Sequence, residues 1–161
     1  MQNVLFLCTG NSARSIMAEA LLRHWGEGVF NAHSAGSRPA GAVHPLALAE
    51  LEARDVDIAG LRSKSWDEFG MKTAVAMDLV ITVCDSAANE ACPILPGAPL
   101  RLHWGLPDPA SALGDEAARR AAFSTVCDQL EKRIARLVTI PFADRDPANI
   151  QTDLEAIAAA S

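Results

Sequence analysis

The sequence predicts an α/β fold, a four-stranded parallel sheet with helices on both faces. Three observations predict it. Short apolar runs alternate with longer segments of helical periodicity along the chain. The strand-like runs are apolar throughout rather than alternating with polar residues, as strands covered on both faces are. The 161 residues suit a single core, and a composition that is half hydrophobic and 21% charged is that of a globular chain.

Taken in order, residues 4–7 form a buried strand that ends at Cys8. Helical character follows over residues 12–25: Ile16, Ala20 and Leu21 share a face, Ala13 and Met17 lie near it, and Gly26 is a stop signal. Cys8 to Ser12 is therefore a tight strand-to-helix turn. Residues 29–34 form a second strand, with Ala35-Gly36-Ser37-Arg38-Pro39 as the turn after it. Residues 45–54 read as a helix carrying Leu46, Leu48 and Leu51, and residues 66–71 as a short one. Residues 78–84, rich in β-branched side chains, make the best central strand. The helix expected between Cys84 and Leu100 is interrupted by Pro93 and Pro96. Residues 100–103 form a fourth strand, and Pro107 and Pro109 make the following stretch a loop, since neither suits a helix interior or a central ladder.

Residues 115–138 form a long helix with Asp115 as its N-cap and Phe123, Val126, Leu130, Ile134 and Leu137 as its inner stripe. Cys127 sits beside that stripe and reads as core. Beyond Pro141 the chain is polar and then alanine-rich, and residues 150–160 suit a short terminal helix or a frayed tail. The organisation is an α/β domain over residues 1–141 and a C-terminal tail over 142–161. Right-handed crossovers and a switch point between the first and third strands put a site at the C-terminal ends of the strands.

A formal net charge of −6 argues against nucleic acid or an anionic membrane as the main partner, because both call for a basic face. It leaves room for a small anion, since a few aimed donors outweigh distant charges that salt screens. The N-terminus lacks the features of a signal peptide, and no apolar run reaches the roughly 18 residues that span a bilayer. A soluble, cytoplasmic protein is expected. In that compartment four cysteines point to catalytic or redox use rather than structural disulfides. The four histidines are scattered, with no pair at a zinc spacing.

The chemistry concentrates in Cys8-Thr9-Gly10-Asn11-Ser12-Ala13-Arg14-Ser15. At a strand-to-helix turn the five residues between Cys8 and Arg14 let the backbone curl so that several N–H groups point inward, with Gly10 easing the bend. The helix start adds unsatisfied N–H groups and a positive dipole end. Arg14 offers a planar fork for two oxygens of a tetrahedral oxyanion. The same field is expected to lower the Cys8 pKa and make it a nucleophilic thiolate. Ser15 could donate to that thiolate, and Asn11 could brace the loop with its side chain.

This loop, with Leu5-Phe6-Leu7 before it, resembles the active-site loop of the low-molecular-weight tyrosine phosphatase superfamily, and its Cys-Thr-Gly-Asn-Ser form is similar to the arsenate reductase branch. The resemblance covers roughly residues 3–138. It extends to His33-Ser34-Ala35-Gly36 after the second strand, to Thr82-Val83-Cys84-Asp85 and to His103-Trp104-Gly105-Leu106-Pro107-Asp108-Pro109-Ala110. It implies a low-molecular-weight phosphatase-like, flavodoxin-like sheet in which the third strand lies beside the first. It implies that Asp108 is the general acid, a role that burial over the oxyanion would favour. It further implies that Cys8 attacks arsenate and that a second thiol, Cys84, forms a disulfide with Cys8. An external thiol system, thioredoxin or glutathione with glutaredoxin, then restores the enzyme, with no bound cofactor. Where two resolving cysteines act in relay, Cys92 attacks Cys84, although the segment between them here is one residue longer than usual. Some of these reductases bind potassium beside the loop. Asn11, Glu19 and Ser34 could belong to such a site, but no further oxygen ligands stand out around Leu61-Arg62-Ser63-Lys64, so no metal is assigned.

Two other readings stay in view. The loop and acid would also serve a phosphotyrosine phosphatase working through a phosphocysteine. Against it, Asp108-Pro109 is followed by Ala110-Ser111-Ala112 and the chain has no tyrosine, so an aromatic wall for a phosphotyrosine ring is missing. An idle oxyanion-sensing protein is the third reading, and the intact set of Cys8, Arg14 and Asp108 argues against it.

Overall fold

The computed structural model describes residues 1–70, 75–89, 95, 97 and 99–159. Four strands, β1 (Gln2–Cys8), β2 (Phe30–Gly36), β3 (Leu79–Thr82) and β4 (Leu100–His103), form one parallel sheet in the order β2-β1-β3-β4. The expected switch point falls between β1 and β3. β1 is paired on both sides, and its residues from Val4 to Cys8 are all buried. β4 is an edge strand, with Arg101 and His103 exposed.

Register decides where the chemistry goes. Cys8 pairs with Gly36 of β2 at the C-terminal end of the sheet, and Leu7 pairs with Thr82 of β3. Val83 N–H donates to the Leu7 carbonyl at 2.9 Å, which carries the pairing one step past β3. Cys84 therefore leaves the sheet beside Cys8. The strand ends at Thr82 rather than at Cys84 because the chain turns there into a short helix, α3 (Asp85–Asn89).

The other helices start where the side chains can cap them. α1 (Arg14–Trp25) follows the Cys8 turn and ends at Gly26. α2 (Pro45–Ala53) has proline in its first turn, and His44 Nδ1 accepts from Leu46 N–H at 3.1 Å. α4 (Glu116–Leu137) is capped by Asp115, which accepts from Ala118 N–H at 2.9 Å. Where a short helix was expected over residues 66–71, Trp66–Phe69 form a 3-10 turn that Ser65 caps by accepting from Asp67 N–H, and residue 71 lies outside the described residues.

Helical segments cover both faces of the sheet, unequally. On one face Val4, Phe6, Leu79 and Ile81 pack with α1, α4 and the inner stripe Phe123, Val126, Leu130, Ile134 and Leu137. Cys127 is fully buried there, as its place beside the stripe suggested. On the other face Leu5, Leu7, Ala35 and Val80 pack with Met77 and Leu95, and the 3-10 turn adds Trp66 and Phe69 among the described residues. The segment after Pro141 is helix α5 (Pro147–Ala159) rather than a frayed tail, and its Ile150, Leu154 and Ile157 bury into the larger cluster.

Leu154 is wholly buried. Truncating it with Leu154→Ala should cost about 2–5 kcal/mol and lower the Tm by about 5–15 °C. A thermal melt within a degree or two of the parent would show that α5 is not part of the core.

Candidate active site

The loop between β1 and α1 is shaped by what happens to its carbonyls. Thr9, Gly10 and Ser12 carbonyl oxygens accept from Arg38, Ala40 and His44 N–H groups at 2.9–3.0 Å, and Ser63 Oγ donates to the Gly10 carbonyl as well. In a planar trans peptide the N–H points opposite to the C=O. Tying the carbonyls outward, to the segment after β2, therefore turns the following amides inward. α1 adds to this: its N-cap Ala13 has no side-chain cap and its first turn holds no acidic residue, so its free N–H groups and positive end face the same hollow.

Asn11 locks the curl. Its φ of 45° is in the left-handed region, and its side chain is buried. Asn11 Nδ2 donates to Ser15 Oγ at 2.8 Å and Ser34 Oγ at 3.0 Å, while Oδ1 accepts from Lys64 N–H at 2.9 Å. The expected brace is thus made to α1, to β2 and to the strap that carries Lys64. Gly36 lies directly against the loop: a Cβ there would collide with the Thr9 and Cys8 carbonyl oxygens and press on Asn11 Cβ.

The hollow opens into a cavity of about 530 Å³ lined by Cys8, the loop, Arg14, Cys84, Leu106 and Asp108. Arg14 Nη1 donates to the Leu106 carbonyl at 3.0 Å, and its Nη2 lies 3.9 Å from Asp108 Oδ1. The acid loop is thus anchored to the guanidinium that would bind the oxyanion. Asp108 itself is not buried over the site: its side chain is 41% exposed at the mouth, and it accepts from Ala110 N–H and Ser111 Oγ at 3.0 Å. The burial expected of a general acid would require the loop to move in.

Cys8, Cys84 and Cys127 carry unbonded thiols. Cys8 and Cys84 line the same hollow, and their mutual interaction splits their titrations. For Cys8 the neighbouring Cys84 sulfur raises the pKa above the ordinary thiol range and burial adds to it, against the lowering by the Arg14 charge and the Gly10 N–H. For Cys84 the neighbouring Cys8 lowers the pKa to about 5, against burial, with help from Ala87 N–H and Thr9. Ala87 N–H lies 3.4 Å from Cys84 Sγ and Thr9 Oγ1 lies 3.7 Å from it. The expectation that loop and helix field would make Cys8 the thiolate therefore needs correction for the substrate-free state. Arg14 acts in the expected direction, but the neighbouring sulfur and burial outweigh it, and the net shift of Cys8 is upward.

The structure brings Cys8, Thr9, Gly10, Asn11, Ser12, Ala13, Arg14, Ser15, Cys84 and Asp108 to one end of the sheet. Cys92 lies outside the described residues. Sequence reasoning missed three contributions: Gly36 under the loop, the Leu106 carbonyl on Arg14, and a chain in which Thr82 Oγ1 meets His103 Nδ1 at 2.7 Å and His103 Nε2 meets Asp85 Oδ1 at 2.9 Å. That chain ties the start of α3 to the strand leading into the acid loop. The residues beside Asn11 do not fit a potassium ion. Asn11 Oδ1 is engaged by Lys64 N–H, Ser34 Oγ accepts from Asn11, and Glu19 faces the Lys64 ammonium at 3.7 Å, where an added cation would meet a like charge.

The fold and the loop define a class. The family model of the low molecular weight phosphotyrosine protein phosphatases matches residues 3–153, and the chain belongs to that family. Its place within the family is the arsenate reductase branch. The arsenate reductase of Bacillus licheniformis is 40% identical over 136 residues, which cover 84% of this chain and 94% of that protein. A solved arsenate reductase in its phosphate-binding state superposes with a TM-score of 0.69 at 29% identity, over 86% of this chain and 97% of the other. A thioredoxin-dependent arsenate reductase of Corynebacterium glutamicum gives a TM-score of 0.61 at 29% identity, over 85% of this chain, which spans 60% of that protein.

Two outcomes test this geometry. Gly36→Ala should weaken phosphate binding by about tenfold or more, since a misplacement of about 1 Å costs on that scale; isothermal titration at unchanged affinity would contradict the close approach. In Cys84→Ser the Cys8 thiolate should form at lower pH than in the parent, because the sulfur that raises its pKa is gone and Arg14 remains. Ultraviolet thiolate absorbance against pH measures this, and a Cys8 titration that does not move down in pH would refute the coupling.

Proposed function

We propose that this protein reduces arsenate to arsenite. The observation that carries the reading is that two free cysteines, Cys8 and Cys84, line one cavity at the floor of an oxyanion-shaped loop. A phosphatase needs one thiol there; a reductase needs two, because reducing As(V) to As(III) takes an electron pair from sulfur. The relatives reported above support the same activity.

In this reading arsenate enters the loop, its oxygens held by inward N–H groups and the Arg14 fork. Arg14 and the inward amides favour the thiolate at Cys8, whose proton passes to the arsenate oxygen that will leave. Cys8 Sγ attacks arsenic and one oxygen leaves as water, protonated with the help of Asp108 once the acid loop closes. The Cys84 thiolate then attacks Cys8 Sγ. The electron pair of the S–As bond passes to arsenic, arsenite departs, and a Cys8–Cys84 disulfide remains. An external thiol system, thioredoxin or glutathione with glutaredoxin, supplies the two electrons and two protons that restore both thiols. The name of the Corynebacterium glutamicum neighbour supports thioredoxin, with Cys92 as the relay thiol that carries the disulfide outward. The catalytic set is accordingly Cys8, Arg14, Asp108, Cys84 and Cys92.

The decisive experiment is arsenite production from arsenate with thioredoxin and its reductase, and separately with glutathione and glutaredoxin. Cys84→Ser should abolish multiple turnover with either, and Cys92→Ser should block only the thioredoxin-driven reaction. Absence of arsenite in both systems sinks the reading, and unchanged thioredoxin turnover in Cys92→Ser sinks the relay.

A further inference from the structure

A polar cluster outside the reacting groups lies on the back of the loop. Glu19 of α1 is buried to 3% exposure, and its Oε2 has no hydrogen-bond partner among the described residues. Lys64, 8% exposed, places its ammonium 3.7 Å from Glu19 Oε1 and donates to the Arg62 carbonyl at 3.1 Å. Arg23 reaches the same carboxylate oxygen at 3.6 Å from the solvent side. His33 on β2 also faces the cluster, and burial and these two cations lower its pKa, which favours the neutral ring.

Lys64 also meets the loop through its backbone. Its N–H donates to Asn11 Oδ1, and its carbonyl accepts from Gly36 N–H, both at 2.9 Å. These are the two residues that set the loop's curl from behind. The peptide that braces the loop and the cation that neutralises Glu19 thus belong to one residue.

We propose that Lys64 is a positioning residue for the oxyanion loop, and that its ammonium serves as a built-in monovalent cation against Glu19, holding the loop in its binding shape without an alkali ion. A buried carboxylate with one oxygen unpartnered needs a nearby positive charge. A dissolved ion would supply it only in proportion to its concentration, whereas a tethered ammonium is always present. The tether has a structural result too: any movement of the ammonium away from Glu19 pulls on the peptide that holds Asn11 and Gly36. Burial lowers the Lys64 pKa and raises that of Glu19, and the opposite charge of each partner opposes both shifts.

The proposal rests on the loop binding a tetrahedral oxyanion and not on the reduction of arsenate. It is tested by the protection that inorganic phosphate gives Cys8 against alkylation, read on the Cys8 peptide by mass spectrometry. The buffers contain choline, sodium, potassium or ammonium chloride at one ionic strength. In the parent protein the phosphate midpoint should be the same in all four. Lys64→Ala should raise it by about tenfold in choline, with recovery in potassium or ammonium, because the vacated volume admits a small cation. If Lys64→Ala folds poorly, its Tm should rise with potassium or ammonium over choline. The double variant Glu19→Gln with Lys64→Met, which has no charge to neutralise, should respond to none of the salts.

Potassium dependence in the parent, parent-like protection of Lys64→Ala in choline, or an equal salt response in the double variant would each overturn the proposal. A lack of phosphate protection in the parent would overturn it together with the oxyanion site. The expected salt pattern without any arsenite production would uphold it and sink only the reduction.

Discussion

The site depends on the three hydrogen bonds of one buried amide. Asn11 stands at the point where the chain leaves the sheet, reverses and enters α1, in a backbone conformation that few residues with a side chain tolerate. Its side chain both donates and accepts, and the structure uses both capacities: two donations join the start of α1 to the end of β2, and one acceptance captures the peptide of Lys64. Glycine would take the same φ but would brace nothing. Aspartate would accept but could not donate. With the curl held, the carbonyls point outward, the amides point inward, and Cys8 and Arg14 face a common hollow. A net negative protein can therefore present a positive pocket, because the attraction comes from aimed dipoles and one guanidinium rather than from overall charge.

The sheet supplies what the loop cannot. Cys8 ends β1 and Cys84 follows the adjacent parallel strand, so the two sulfurs line one hollow and each shifts the titration of the other. The proposed reaction needs each sulfur as a thiolate in turn, first Cys8 and then Cys84, so the proton must leave the pair, and the departing oxygen is where it goes. Asp108 and Arg14 are coupled in a comparable way. The acid loop leans on the guanidinium through Leu106 and Asp108, so an arriving oxyanion meets an arginine already oriented by its own loop.

Much of this was legible in the sequence for physical reasons. Four apolar runs, a capping aspartate and a five-position stripe on the long helix specify buried strands and an amphipathic helix, and the structure has them. The loop was legible because glycine, asparagine and arginine at a strand-to-helix junction have few other uses together. What escaped was information carried by the backbone or by contacts distant in sequence. Gly36 acts by having no side chain beneath a loop that precedes it by many residues. Leu106 acts through its carbonyl, which any residue would supply. Lys64 braces the loop through its backbone N–H and carbonyl, which its residue type does not reveal. The Cys8 pKa was misjudged because its controlling neighbour, Cys84, is next to it only once the sheet has formed.

Cys127 shows the other side of thiol chemistry. It is wholly buried in α4, and burial pushes its pKa up to about 12, partly offset by Arg54. In the proposed cycle, a disulfide that forms and breaks at each turnover would expose every other cysteine of the chain to exchange. A thiol that is neither ionised at neutral pH nor reachable from solvent cannot compete for that disulfide. The core thereby acts as insulation: it keeps one sulfur out of a circuit that the others would carry, and the sequence of electron transfers stays unbranched on that side of the molecule.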